Sequence, residues 1–296
     1  MAAQRTANPY PWEQPFSGAL GQSDLVSAVN TLFETGRTEK HRYPRVREIR
    51  RALVLLQEYA PDPEQRWSWG VRLIEDHLST TLGVKLVITF FSDRPYDVVA
   101  LWLWLAEHPD WERREDAAWM LSELLAADFD DVYTRCLEWV HHPFQNVRRA
   151  VVVGVKRAAK VRTPEVGERF LDLIEPLLSD RSVYVRKNLG SFAIGDGLLR
   201  CYPELTLKRL AAWARRSDEQ GRWNVAMAFS AAEAAKHVEA ALPILTELAA
   251  DERCFVWRAV ASAMRSLGDK QPTQVVPILK GWLRDGRRRQ VAEVAL

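Results

Sequence analysis

The stretch "NVRRAVVVGVK", residues 146–156, places two adjacent arginines at the start of an apolar helical run. The amino end of a helix already carries partial positive charge from its aligned peptide dipoles, so cations are least favourable there. Similar stretches follow other short turns along the chain. Their spacing indicates the fold.

The spacing is that of a repeat of two helices. The basic or aromatic anchors of these stretches recur at intervals of 35, 38, 36 and 35 residues. The anchors are Arg113, Arg148, Arg186, Arg222 and Trp257. A second series of residues ends the helix before each turn: Trp104, Trp139, Leu178, Trp213, Leu248 and Trp282. Paired helices in units of this length are typical of HEAT-like repeats, whose neighbouring pairs share one core, and no segment has the alternation of a β-strand. The sequence predicts an all-α, HEAT-like α-solenoid of stacked antiparallel helix pairs with a concave basic groove.

Three regions are predicted. Residues 1–22 contain Pro9, Pro11, Pro15 and Gly18 and are predicted to form an irregular N-terminal arm. Residues 23–94 are predicted to form a helical cap or irregular first repeat, with helices from Ser23 to about Gly36 and over 45–59. Within it, residues 67–91 are ambiguous, because β-branched residues favour a strand locally while the flanking helices favour a helix. Residues 95–296 contain the HEAT-like repeats.

Composition excludes several classes of protein. Hydrophobic residues make up 47% of the chain and charged residues 27%, which is typical of a folded domain. The 41 basic and 39 acidic residues leave a net charge of +2, so a basic surface requires segregation of charge. Cys136, Cys201 and Cys254 lie far apart without a CxxC motif, so we expect no metal site and a reducing cytoplasm. We expect no cofactor and no membrane partner, since the apolar run "VKLVITFF" is too short to span a bilayer.

The basic pairs have a structural and a binding interpretation. HEAT repeats commonly carry an Asp in the turn and an Arg six residues later, which stack into a ladder between repeats, and Asp180 and Arg186 have this spacing. Such a ladder needs only one cation per repeat. Adjacent cations remain at or near the same place in several repeats: Arg114, Arg149, Lys187 and Arg258.

In the binding interpretation, the second helices line the concave face and direct their amino ends and paired cations into one groove. A row of such anion sites matches a nucleic-acid backbone. The predicted contacts are Arg113, Arg114, Arg148, Arg149, Lys156, Arg186, Lys187, Arg222 and Arg258. The predicted groove aromatics are Trp111, Trp119, Trp223 and Trp257, whereas Trp104, Trp139 and Trp213 are predicted in the core. Further cations follow at Arg157, Lys160 and Arg162.

Two of these stretches resemble the HEAT-like alkylpurine DNA glycosylases, AlkC and AlkD. "WVHHPFQNVRRAVVVG" and "LLSDRSVYVRKNLGSFAIGD" carry the resemblance, which covers about residues 95–260. It implies duplex DNA in the groove. It also implies a carboxylate that stabilises the sugar cation as an alkylated base leaves.

The carboxylates of that family are not retained in place. Val152 and Val153 stand where the AlkC-type pattern has Ser-Glu, and Asp196 lies one residue after the closing Asp of the motif. On an unbroken helix this offset turns the side chain by about 100°, unless Gly195 and Gly197 end the helix there. Phe129 and Tyr133 stand in place of the AlkD Trp and Asp, and Ser191 stands in place of another AlkD Trp. The remaining catalytic candidates are Asp116 and Asp196.

Three hypotheses follow from the sequence. The first is a monomeric protein of the DNA alkylation repair type that holds double-stranded DNA in its groove and excises cationic alkylated purines without a cofactor. The second keeps the DNA, in branched or distorted form, and removes the chemistry. The third is a HEAT scaffold for protein partners, in which the basic pairs are ladder residues and surface ions.

Overall fold

A computed structural model describes residues 10–35, 43–161 and 163–296 of the chain. It contains helices and no strand within these ranges, so the all-α prediction is confirmed. Contacts divide the chain into two compact units, residues 1–101 and 102–296. The division falls inside a helix, a few residues after the predicted start of the repeats at residue 95. Pro9, Gly36 and Arg162, which figured in the sequence predictions, lie outside the described residues.

The first unit is built from short helices around one apolar cluster. They are α1 (Glu13–Gly21), α2 (Leu25–Thr35), α3 (Val46–Tyr59), α4 (Pro63–Glu75) and α5 (Thr80–Val87), followed by a 3₁₀ turn at Ile88–Phe90. The predicted irregular arm is wrong over α1, because Trp12, Phe16 and Leu20 recur every four residues and bury one face of that helix in the cluster. The ambiguous stretch at 67–91 forms most of α4, the whole of α5 and the 3₁₀ turn, and it contains no strand.

The second unit contains stacked helix pairs. The first helix of each pair is α6 (Pro95–Glu107), α8 (Phe129–Trp139), α10 (Pro164–Ile174), α13 (Pro203–Trp213), α15 (Val238–Leu248) or α17 (Pro272–Trp282). The second helix is α7 (Trp111–Ala127), α9 (Gln145–Ala158), α14 (Glu219–Ala228), α16 (Cys254–Gly268) or α18 (Arg289–Ala295) in five of the pairs. In the third pair its place is taken by three consecutive pieces: α11 (Val183–Arg186), a π-helix (Leu189–Leu198) and α12 (Leu199–Cys201). The helix α6 contains the division between the units. Consecutive second helices contact one another more extensively than consecutive first helices do, as expected on the inner side of a solenoid.

Tryptophan packing joins successive pairs. Trp139 and Trp213 are buried, as predicted. The prediction for Trp104 is wrong: it is 41% exposed, and Trp102 is the fully buried residue of α6. The Trp102 indole stacks 4.0 Å from that of Trp139 and donates to the Ala117 carbonyl. The helix phase therefore differs by two residues from the one that the Trp spacing suggested.

The π-helix Leu189–Leu198 sets the face that the third pair presents. Its backbone bonds run from residue i to residue i+5, as from Ala193 N–H to the Asn188 carbonyl. Residues five apart then share a face. A Cβ added at Gly190 would lie 2.6 Å from the Met227 Cβ, and one added at Gly195 would lie 2.6 Å from the Ala231 Cβ. The two glycines thus allow this wide helix to approach α14 closely.

Candidate nucleic-acid interface

The N-caps of the second helices give a common register for the repeats. They are Asp110, Phe144, Ser182, Asp218 and Arg253. Four residues later come Arg114, Arg148, Arg186, Arg222 and Trp257. Arg114, and not the predicted Arg113, is therefore equivalent to Arg148. Arg113 matches the core residue Val147 and is itself buried, with its guanidinium 5.7 Å from the centre of the Trp104 ring.

Three of the four arginines at this first position close their own turns. Arg114, Arg148 and Arg186 each donate from Nη1 to the carbonyl six residues earlier, at distances of 2.8, 2.7 and 2.6 Å. These carbonyls belong to the turn that precedes the helix. The repeated bond explains why an arginine stands at a helix start in spite of the dipole, because the carbonyl oxygens it reaches offset the unfavourable field.

Two arginines at this first position, Arg148 and Arg222, join neighbouring repeats. Arg148 is buried and forms a two-point ion pair with Asp180 of the next repeat, at 2.6 and 2.9 Å. Arg222 lies 3.0 Å from Asp251 in the same relation. The Arg148–Asp180 pair is a contact of the ladder kind expected between repeats, and Arg186 bonds to the Asp180 carbonyl of its own repeat. Arg148 and Arg222 are therefore structural.

The residues one place later differ in exposure and in what they contact. Arg149 is largely covered and paired with Glu115, and its guanidinium lies 4.9 Å from the centre of the Tyr184 ring. The Lys187 ammonium lies 4.9 Å from the same ring, and the Arg258 guanidinium lies 5.5 Å from the centre of the Trp257 ring. Within the described parts of the chain, neither Lys187 nor Arg258 has a salt bridge, and both are exposed.

Glu115 is a residue that the sequence reasoning missed as a partner. It occupies in the first repeat the position that Arg149 occupies in the second, so the repeat interval itself brings the opposite charges together. Burial opposes ionisation of Glu115, but the hydrogen bonds and charges of Arg149 and Arg157 outweigh it and hold its pKa below the usual value.

A stripe of cations continues down α9. Arg149, Lys156 and Lys160, the last in the turn that follows, are spaced by seven and four residues and share one side of the helix. The Lys156 ammonium lies 3.8 Å from the centre of the Phe192 ring and 3.1 Å from Asp196. Arg157 is exposed beside them.

The two catalytic candidates occupy different surroundings. Asp196 lies within the π-helix, which continues into α12, so the expected helix end at Gly195 and Gly197 is wrong. Because the π-helix accommodates one more residue per turn than an α-helix, Asp196 still reaches the cationic side, where it pairs with Lys156 and Arg200. Asp116 is half-buried on α7. Val152 and Val153 are buried.

The predicted groove aromatics divide into exposed and packed residues. Trp111 is 63% exposed at the first turn of α7. Trp223 stacks on Phe255 with ring centres 5.3 Å apart, while Trp119 and Trp257 are half-buried. Phe129 and Tyr133 stack on each other beneath the Arg169 guanidinium, which indicates a packing role.

The helix starts are unequal as anion sites. Side chains of Asp110, Ser182 and Asp218 cap α7, α11 and α14. The helices α9 and α16 have no side-chain cap, since Phe144 and Arg253 occupy their N-cap positions. At α16, however, the Asp251 carboxylate accepts the Arg253 N–H at 2.9 Å. A phosphate would therefore meet open backbone N–H groups at α9 and a carboxylate at α7, α14 and α16.

Charge is segregated between the two helix layers. Counting Asp, Glu, Lys and Arg within the helix bounds, the six first helices carry a net charge of −6 and the six second helices +5, and Lys187 adds one more positive charge between α11 and the π-helix. On the first-helix side, the guanidinium of Arg209 is surrounded by three carboxylates, those of Glu168, Asp172 and Glu175. The excess of positive charge in the second layer begins at α9, since α7 itself carries −2.

Comparison with known proteins gives no family. No family model and no curated protein matches the chain, so the resemblance to the alkylpurine DNA glycosylases depends on its motifs alone. Among solved structures, an engineered protein is 20% identical, with a TM-score of 0.35, and covers 68% of this chain and 97% of its own. A computationally designed armadillo repeat protein for modular peptide recognition is 18% identical, with a TM-score of 0.31, and covers 66% and 96%. At these scores neither match bears on the partner.

The described residues contain neither a membrane-spanning helix nor a metal-binding cluster. None of their helices has the length and apolar character needed to cross a membrane. No group of three or more His, Cys, Asp or Glu side chains is arranged there to hold a metal ion.

Proposed function

We propose that this protein is a helical-repeat scaffold that binds the sugar–phosphate backbone of duplex DNA on its second-helix layer. The charge difference between the two layers carries the proposal. A polyanion is attracted to the layer whose helices carry +5 and repelled from the layer whose helices carry −6. The start of α9, which has no side-chain cap, adds open N–H groups on the same positive layer.

The footprint extends from α9 to α16. Four neighbouring helices at 8–10 Å spacing cover about 25–30 Å, somewhat less than one turn of B-DNA at about 34 Å. The exposed cations there are Arg157, Lys160, Lys187, Arg200, Arg258 and Arg265. Of these, Arg157 and Arg200 are also paired with Glu115 and Asp196. Four of the predicted DNA contacts have structural roles instead: Arg113, Arg114, Arg148 and Arg222. Lys187 and Arg258 are the predicted contacts that belong to this exposed set.

The matched test compares exposed cations on the two layers. Lys187→Ala with Arg258→Ala removes two charges from the second layer, and Lys208→Ala with Lys280→Ala removes two exposed charges from the first. Affinity for a labelled duplex, measured by fluorescence anisotropy over a salt series, should fall in the first variant, with a shallower log–log salt slope by about 2. The second variant should match the parent. Equal affinities in both variants would overturn the proposal.

Base excision by Asp196 is disfavoured. A carboxylate that stabilises a sugar cation must present uncompensated negative charge, and Asp196 already neutralises Lys156 and Arg200. We infer binding without base chemistry. Abasic sites that form in N7-alkylated duplex with the parent, but not with Asp196→Asn, would contradict this.

A protein-binding scaffold is the second candidate, and one observation favours it. Trp111, Phe144 and Val183 are 63%, 57% and 66% exposed, and all three lie at the starts of successive second helices. Exposed apolar side chains in a row are typical of protein interaction sites. Absence of DNA binding at low salt, together with a protein complex that Phe144→Ser abolishes, would favour this candidate.

A further inference from the structure

A cavity opens between the carboxyl ends of α7 and α9, beside the cationic stripe. Its volume is about 290 Å³, and the Trp119 indole, Glu123 and Ala126 line it from α7. Arg157 and Lys160 line it from the α9 side. Buried Leu125 and Ala158 complete its apolar part. The cavity thus combines one large aromatic ring, two cations and one carboxylate.

This combination matches the parts of a single nucleotide. Aromatic side chains stack on any base, because every base has a π-face, and cations hold the adjoining phosphate. A carboxylate can accept hydrogen bonds from the amino or imino groups of a base edge. The volume lies at the lower end of the range for small-molecule pockets, which suits one nucleotide and excludes a duplex.

We propose that this cavity takes up one unpaired nucleotide from the bound DNA, with the base beside Trp119 and its phosphate between Arg157 and Lys160. The inference rests on the proposed function and adds a preference to it. DNA in which a base is already unstacked is the preferred partner, because an intact duplex must first lose pairing and stacking energy at that base.

Two alanines at the end of α7 provide a matched pair of variants. Both Ala126 and Ala127 are exposed, but only Ala126 lines the cavity. Ala126→Met fills the cavity from its open side without touching the core, and Ala127→Met makes the same change beside it. Trp119→Ala removes the stacking ring, and thermal unfolding by circular dichroism reports whether that variant remains folded.

The measurement is the ratio of affinities for two labelled duplexes of the same sequence, one with a single-nucleotide bulge. The parent and Ala127→Met should bind the bulged duplex about fivefold or more tightly than the intact one. In Ala126→Met and Trp119→Ala the ratio should fall to about one, with affinity for the intact duplex unchanged. A parent ratio of one, or a ratio that Ala126→Met leaves unchanged, would overturn the inference. Failure to bind either duplex would instead overturn the proposed function, and binding of free dAMP without a bulge preference would assign the cavity to a free nucleotide.

Discussion

Replacing Arg148 by alanine tests whether the basic residue at the first position of the repeat is structural. Arg148 is buried, and its guanidinium donates to both Asp180 oxygens, to the His142 carbonyl at 2.7 Å and to the Pro143 carbonyl at 3.0 Å. The substitution leaves the Asp180 carboxylate buried, with the Ser182 N–H at 2.7 Å as one remaining donor. Removing one partner of a buried pair costs about 3–5 kcal/mol, a large part of the about 5–15 kcal/mol that stabilises a typical domain.

Urea unfolding followed by far-ultraviolet circular dichroism measures this cost. We expect Arg148→Ala to lower the free energy of unfolding by about 3–5 kcal/mol, and Asp180→Ala to lower it by a similar amount. Because each change breaks the same pair, the double variant should be much less destabilised than the sum of the two single variants. Arg258→Ala, an exposed cation of a later repeat, is the control and should change stability by less than about 0.5 kcal/mol.

Additive effects of the two changes would overturn the structural role of Arg148, since Arg148 and Asp180 would then contribute independently. An Arg148→Ala variant that remains as stable as the Arg258→Ala control would also overturn it. In either case Arg148 would return to the set of residues available for DNA. The same result would make charge reversal at Arg148 a valid probe of binding, which the buried ion pair now rules out.

Two further predictions concern the fold around this face. Gly195→Ala should destabilise the protein by about 1–3 kcal/mol, because the new methyl group would overlap the Ala228 carbonyl and the Ala231 Cβ; Gly281→Ala, with nothing near its added Cβ, is the control in the same urea assay. The lowered pKa of Glu115 means that the unfolded chain binds its proton first as pH falls. Its contribution to stability is therefore complete above the ordinary value of 4.5 and is lost as pH falls through the lower folded pKa. Glu115→Gln should flatten the pH dependence of the urea midpoint in this acid range, and an unchanged profile would show that the ion pairs with Arg149 and Arg157 contribute nothing.

The repeat could be predicted from the sequence because its period is set by short-range chemistry. A turn, an N-cap and an apolar stripe recur together, so the repeat intervals located the second helix of each pair between residues 111 and 268. The phase within a helix was less reliable. Arg113 and Trp104 were each assigned to the wrong position, because two basic residues or two tryptophans lie close together and only packing distinguishes them.

Long-range partners and the π-helix could not be predicted in the same way. The spacing of Asp180 and Arg186 indicated a ladder between repeats but did not identify the partners, and the Asp180 carboxylate pairs with Arg148, 32 residues earlier. The π-helix depends on the close approach of Gly190 and Gly195 to α14, a contact between repeats. A motif compared along the sequence therefore placed Asp196 out of register, although the wider helix brings it to the cationic side.

The position of each cation relative to the N-cap separates structural from binding residues. Four residues after the cap, an arginine reaches the preceding turn, and each hydrogen bond of its charged group is worth about 1.5–3 kcal/mol. This exceeds the about 0.3–1 kcal/mol that the helix dipole costs a cation at this place. Five residues after the cap, Lys187 and Arg258 gain no such bond, and their charged groups lie against the rings of Tyr184 and Trp257. Neither has a carboxylate partner within the described chain, so these two cations are the ones that the proposed function assigns to phosphates of bound DNA.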